Sequence, residues 1–140
     1  MSEIVMTYYP DDILKRVEYL NENGQRHRVD GPALIEYTED GKVLQEVYYW
    51  EGRRHRDDGP AVFKYDANGK LYVEYYYQYG KWHRGEAGPA IIGYYPEGKV
   101  RYEEYHSHGR LHREGGPAVT EYGTDGEVLE ETHYLRGEKP

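Results

Sequence analysis

Four histidine–arginine pairs recur along this 140-residue chain, and they are the first candidates for chemistry. Histidine is the commonest metal ligand in proteins and titrates near neutral pH, so a row of histidines suggests a metal site or a general base. A glycine stands three residues before each pair, and Gly-Pro-Ala follows after a short spacer. The pairs are His27-Arg28, His55-Arg56, His83-Arg84 and His112-Arg113.

The spacing of the histidines weighs against both chemistries. If each repeat is a hairpin, equivalent side chains lie two strands apart, roughly 10 Å, whereas all ligands of one zinc ion lie about 2 Å from it. Only His106, His108 and His112 are close together in sequence. We therefore expect no metal, no cofactor and no catalytic residue, and a structural role for the pairs through hydrogen bonds to turn carbonyls or to glutamates.

A glutamate recurs once per repeat and forms a second candidate set. Paired carboxylates can act as acid and base, but they need unlike environments and separations of about 5 to 9.5 Å, which a repeating row does not provide. We expect these glutamates to be structural and to form ion pairs with the recurring arginines, locking each hairpin to its neighbour. The set is Glu18, Glu46, Glu74, Glu103 and Glu131.

The recurring phrase divides the chain into an array, which we interpret as a single repeat domain over residues 1–140. Residues 1–26 lack Gly-Pro-Ala and are typical of a degenerate N-terminal cap, with Glu18 at the position of Glu46. The repeats that follow are about 27–54, 55–82, 83–111 and 112–140.

Each repeat has the pattern of a β-hairpin. Apolar and polar residues alternate over 33–37 and over 43–50, and Asp40-Gly41 between them is a strong turn signal because both residues tolerate positive φ. Five hairpins in series predict an all-β fold, an elongated antiparallel hairpin array of about 10 strands that meanders as a solenoid.

Composition narrows the classes of function. The net charge of −8 argues against direct binding to nucleic acid or to an anionic membrane, since both select basic surfaces. The sequence shows no signal peptide and no membrane span. Because the chain has no cysteine, it has neither disulfides nor thiolate metal sites, and we expect it in the cytoplasm, that of the host if the chain is viral.

The punctuation of the hairpins resembles MORN repeats and the MORN-like variants of bacterial and viral proteins. It combines Tyr-x-x-Gly with Asp-Gly-Lys or Asn-Gly-Lys, at residues 49–52 with 40–42 and at 77–80 with 68–70. MORN units are shorter and carry Gly-x-Gly where this chain has His-Arg and Gly-Pro-Ala. The resemblance implies an elongated all-β array used mostly for protein contacts, sometimes as a spacer or for lipid association, without common enzyme chemistry.

Residues that depart from the repeat are the best candidates for function. Tyrosine and tryptophan beside charged residues are typical of binding surfaces. We therefore expect a non-enzymatic protein that binds a protein partner of basic character through an extended, acidic, Tyr/Trp-rich surface. The candidate partner-binding residues are Trp50, Tyr76, Tyr77, Tyr79, Trp82, Glu86, Tyr95, Tyr105 and His106.

Two other functions stay open at this point. Spaced carboxylates would suit a phage-type inhibitor that mimics nucleic acid and blocks a host nuclease or defence protein, and salt-sensitive binding to a basic nuclease would favour it. A small-ligand binder or an enzyme would need a deep polar pocket that breaks the repeat. The acidic candidates are Asp57, Asp58, Glu86, Glu114, Glu121, Asp125, Glu127, Glu130 and Glu131.

Overall fold

The computed structural model describes residues 2–84 and 87–140, and its regular elements are β-strands. The strands are β1 (Glu3–Tyr8), β2 (Leu14–Leu20), β3 (Leu34–Tyr37), β4 (Val43–Val47), β5 (Tyr49–Trp50), β6 (Arg53–Arg54), β7 (Val62–Tyr65), β8 (Leu71–Tyr75), β9 (Tyr77–Gln78), β10 (Lys81–Trp82), β11 (Ile91–Tyr94), β12 (Val100–Glu104), β13 (His106–Ser107), β14 (Arg110–Leu111), β15 (Val119–Tyr122) and β16 (Val128–Thr132).

Ten of these strands form one open antiparallel sheet in the order β1-β2-β3-β4-β7-β8-β11-β12-β15-β16. The order follows the chain, so the sheet is a meander of five hairpins, and the predicted all-β hairpin array is confirmed. A register shift precedes the last residue of the first strand in every hairpin, for example between Lys64 and Tyr65. The bulge adds twist to each hairpin just before its turn.

The six remaining strands form small two-stranded hairpins that the sequence pattern did not reveal. The alternation over 43–50 predicted one strand reaching Trp50, but β4 ends at Val47 and Tyr49 pairs back with Arg54. The reversal occurs because Glu51 and Gly52 both have positive φ, 46° and 84°, as a tight type I′ turn requires. Equivalent turns lie at Tyr79-Gly80, His108-Gly109 and Arg136-Gly137.

Each of these turns is bound to the end of the preceding small hairpin or loop through a contact that we call the histidine clasp. The backbone N–H of Glu51 donates to Nδ1 of His27 at 3.0 Å, and the N–H of Gly52 donates to the carbonyl of Arg26. All four repeats form it, as His27 with Glu51, His55 with Tyr79, His83 with His108, and His112 with Arg136. The histidines therefore accept N–H groups, whereas the sequence had suggested bonds to carbonyls or glutamates.

Three glutamates of the row, Glu46, Glu74 and Glu103, bind tyrosines of the next hairpin, and the predicted pairing with the recurring arginines is wrong. The hydroxyl of Tyr65 on β7 donates to Glu46 on β4 at 2.7 Å, and Tyr122 on β15 donates to Glu103 on β12 at the same distance. The hydrogen bond to Glu103 and burial raise the pKa of Tyr122 to about 12. The tyrosines therefore remain protonated donors at neutral pH, and the bond joins neighbouring hairpins without an arginine.

Glu18 does not belong to this row, contrary to the sequence prediction. Its strand neighbours are Val5 and Leu34. The residue equivalent to Glu46 is Val17, which pairs with Ile35 of the next hairpin as Glu46 pairs with Phe63. The cause is one extra residue in the first small loop, which closes by the bridge from Leu20 to Arg26. The carboxylate of Glu18 instead accepts from Nε of Arg26 at 2.9 Å.

The core is thin and lies where the small hairpins meet the sheet. Leu34, Val47, Ala61 and Val62 pack against Tyr77 of β9 in one buried cluster. The alanine of each Gly-Pro-Ala is fully buried, which explains the small side chain at that position. These alanines are Ala33, Ala61, Ala90 and Ala118.

A double-mutant cycle tests the tyrosine–glutamate contact between hairpins. Tyr94 donates to Glu74 at 2.5 Å, so Tyr94→Phe and Glu74→Ala should share a coupling free energy of about 0.5 to 1.5 kcal/mol in urea unfolding. The control cycle of Arg56→Ala with Glu74→Ala should be additive. Coupling confined to the arginine cycle would restore the pairing predicted from the sequence.

Candidate binding surface

The recurring arginine lies flat on a tyrosine ring and shapes the surface beside each clasp. The guanidinium of Arg56 is 4.0 Å from the ring centre of Tyr48, and its Nη1 donates to the carbonyl of Pro60 at 3.2 Å. A Cβ on Gly59 would lie only 3.1 Å from that Nη1, so glycine leaves room for the guanidinium. The stacked pairs are Arg28 on Tyr19, Arg56 on Tyr48, Arg84 on Tyr76 and Arg113 on Tyr105, all at 4.0 Å.

Four grooves repeat along this side of the array, one beside each stacked pair. Their volumes are about 660, 500, 420 and 400 Å³ from the N-terminal groove to the C-terminal one. Each is lined by a stacked tyrosine and arginine and by the histidine that precedes that arginine. These sets are Tyr19, His27 and Arg28; Tyr48, His55 and Arg56; Tyr76, His83 and Arg84; and Tyr105, His112 and Arg113.

Exposed carboxylates stand at the rims of the grooves. Asp30 is bound to Arg28 at 3.2 Å and Asp58 to Arg56 at 3.4 Å, yet both carboxylates are more than 80% exposed. Asp57 likewise bonds Nε2 of His55 at 2.8 Å. Because arginines and carboxylates alternate, the local charge of the grooves is nearly balanced although the chain as a whole is acidic.

Three of the predicted partner-binding aromatics are exposed at the small hairpins. Trp50 is 41% exposed, Tyr79 61% and Trp82 36%. The ring of Trp50 lies 4.4 Å from the ring of His27, and the ring of Tyr79 lies 4.3 Å from the ring of His55. These two aromatics therefore contact clasp histidines directly. Their orientation is held by the repeat, which lowers the entropy cost of using them in binding.

The other predicted partner-binding residues that the structure describes are not exposed beside these three aromatics. Tyr77 and His106 are 7% and 5% exposed, since the small hairpins fold these positions onto the core, where they contact Trp82. Tyr95 follows β11 at the other end of the strands and donates to the carbonyl of Tyr122. Tyr76 and Tyr105 form groove floors beneath Arg84 and Arg113. Glu86 lies outside the described residues.

Titratable groups are also placed by the repeat. Burial and the neighbouring His108 lower the pKa of His83, which favours the neutral ring that accepts the clasp N–H. His106 replaces the tyrosine at the position of Tyr77 and bonds Glu104 at 3.0 Å. The described residues contain no cluster of three or more His, Cys, Asp or Glu able to hold a metal ion.

The tyrosine beneath each arginine, and hence the row of grooves, was not predicted from the sequence. A usable signal was present, because Tyr48 precedes Arg56 by the same eight positions that separate Tyr76 from Arg84. Recurrence shows that two residues serve a repeated contact, but it does not say which recurring residues are partners.

Two segments of the chain match a known family of repeats. Residues 34–51 and 61–79 match the family model described as the MORN repeat variant. These two segments are MORN-like repeats. Each matched segment runs from one long hairpin into the first strand of its small hairpin, β3 to β5 and β7 to β9. The resemblance drawn from the glycine punctuation is thus confirmed.

MORN repeats are often non-enzymatic modules that bind proteins or membranes. Searches against curated proteins and against solved structures found no match. Residues 2–84 and 87–140 include no helix with the length and apolar character needed to cross a bilayer.

Replacing Arg56 by lysine tests the stacked pair within a MORN-like repeat. Lysine keeps the charge but loses the planar contact with Tyr48 and the bond to Pro60, so Arg56→Lys should lower the free energy of unfolding by about 1 to 2 kcal/mol. The matched control is Arg53→Lys on the exposed side of β6. Equal effects of the two substitutions in urea unfolding would contradict a structural role for the stack.

Proposed function

We propose that the protein is a non-enzymatic repeat protein that binds a protein partner along its row of grooves. The observation that carries the proposal is the repetition itself, because the four grooves share the same lining. Successive grooves are separated by two strands, roughly 10 Å. A partner segment lying across the strands can therefore contact several grooves at once, and the gain is that of a multivalent contact.

The spacing indicates an extended peptide segment as the partner. A segment in the extended polyproline II conformation rises about 3.1 Å per residue with three residues per turn, so every third side chain lies on the same face, advances roughly 9 Å and meets the next groove. Trp50 and Tyr79 provide exposed, pre-oriented aromatic contacts of the type that dominates binding energy. The partner segment therefore presents side chains in a three-residue period.

Charge contributes mainly to the approach of the partner. The net charge of −8 attracts basic proteins over several ångströms, whereas the balanced charges within the grooves add little attraction at contact. Added salt should therefore slow association with a basic partner and leave dissociation almost unchanged.

Affinity capture with matched variants tests this function. The groove variant carries Trp50→Ala and Tyr79→Ala, and the control carries Leu44→Ala and Tyr72→Ala, two residues exposed on the long strands. A partner captured from host extract by the wild type and the control should bind the groove variant at least about tenfold more weakly. Loss of the partner in the control but not in the groove variant would contradict the proposal.

A second candidate function, inhibition by nucleic-acid mimicry, is favoured by the charge of the last hairpin. Residues 114–135 contain no lysine or arginine. They hold Glu114, Glu121, Asp125, Glu127, Glu130 and Glu131. In the same capture experiment, a partner lost on neutralising Glu121, Asp125 and Glu130, retained by the groove variant and displaced by DNA would favour mimicry over groove binding.

A further inference from the structure

The two outer strands of the sheet are open and carry exposed apolar side chains. Within the part of the chain that the structure describes, β1 pairs only with β2 and β16 only with β15. Exposed apolar residues concentrate on these two strands, where exposure lies between 52% and 64%. They are Ile4, Met6 and Tyr8 on β1, and Val128 and Leu129 on β16.

Three of the four boundaries between neighbouring hairpins share one side-chain pattern, whereas the boundary between β2 and β3 has Val17 in place of the glutamate. A glutamate on the last strand of one hairpin faces an apolar residue or a threonine on the first strand of the next, as Glu46 faces Phe63. The tyrosine two positions further along, Tyr65, then donates its hydroxyl to that glutamate. The boundaries with Glu74 and Tyr94, and with Glu103 and Tyr122, repeat the bond.

The two ends of the array carry the two separate halves of this contact. Tyr8 follows the bulge of β1 and pairs with Leu14, as Tyr65 follows its bulge and pairs with Leu71. Glu131 on β16 pairs with Thr120 on β15, as Glu103 on β12 pairs with Ile92 on β11.

Neither half has its usual partner within the described residues. The hydroxyl of Tyr8 contacts only the sulfur of Met6, at 3.5 Å. The carboxylate of Glu131 makes no hydrogen bond there, whereas Glu103 accepts from Tyr122. One end of the array therefore presents a donor without its acceptor, and the other an acceptor without its donor.

Strand direction permits the two ends to meet. The sheet follows the chain order and every pair is antiparallel, so the first and tenth strands of the sheet run in opposite directions. The β1 strand of a second molecule placed beside β16 would thus be antiparallel to it, as at every internal boundary.

We propose that a second copy of this chain adds its β1 to β16 of the first, with Met6 beside Glu131 and the Tyr8 hydroxyl donating to the Glu131 carboxylate. The contact continues the inter-hairpin interface already present in the fold. It joins unlike surfaces, so each complex keeps one free β1 and one free β16 and can grow into a linear series of copies. Because each copy carries a charge of −8, raising the salt concentration strengthens the association.

Two blocking variants separate this arrangement from other self-association. Met6→Glu places a carboxylate opposite Glu131 and blocks β1, while Leu129→Glu blocks β16 with an unpaired charge under the incoming Tyr8. Both side chains are more than half exposed, so the monomer should keep its fold, which far-ultraviolet circular dichroism checks. In sedimentation velocity, each variant alone should stay monomeric, and an equimolar mixture should form a one-to-one dimer through its unblocked ends.

Milder substitutions test the hydrogen bond itself. Tyr8→Phe and Glu131→Gln should each weaken wild-type association by about three- to tenfold, whereas Tyr72→Phe and Glu97→Gln, at exposed positions away from the junction, should leave it unchanged. A wild type that remains monomeric up to millimolar concentration at high salt would overturn the proposal. So would dimers formed by either blocking variant alone.

Discussion

The bond from a turn N–H to the Nδ1 atom of a histidine is the contact on which the rest of this structure depends. It binds each small hairpin to the unit before it and holds a non-glycine residue, such as Tyr79, at positive φ. That conformation costs on the order of 1 to 3 kcal/mol when nothing compensates for it. With the turn fixed, the exposed aromatics rest on the clasp histidines and the grooves acquire constant walls.

The long hairpins could be predicted from sequence because their alternation and Asp-Gly turns are local signals. The small hairpins could not, since residues 48–50 continue the same period-2 pattern and only the conformation of Glu51 reverses the chain. Glu18 was misplaced because the extra residue lies in the loop that follows it, so a count of one 28-residue period back from Glu46 ends one position too late. Recurrence indicated a structural role for the arginines and glutamates, but in the structure each set contacts a tyrosine and the two sets do not pair with each other.

The division of labour between repeated and unrepeated residues follows from this geometry. The histidine, arginine and tyrosine that recur along the chain hold the array together and also line the grooves. Residues that differ between repeats, such as Trp50 and Tyr79, lie against the histidines that line the grooves, and we propose that they supply specificity. The open edge strands add a further surface, because a meander of hairpins has two ends that its own repeats do not cover.

Amide hydrogen exchange measured by NMR tests the clasp most directly. The N–H groups of Glu51, Tyr79, His108 and Arg136 lie in surface turns, where exchange is normally fast. If the clasp carries the structure, all four exchange slowly, and His83→Leu exposes chiefly the amide of His108 that it binds. Fast exchange of these four amides in the wild-type protein would contradict the account.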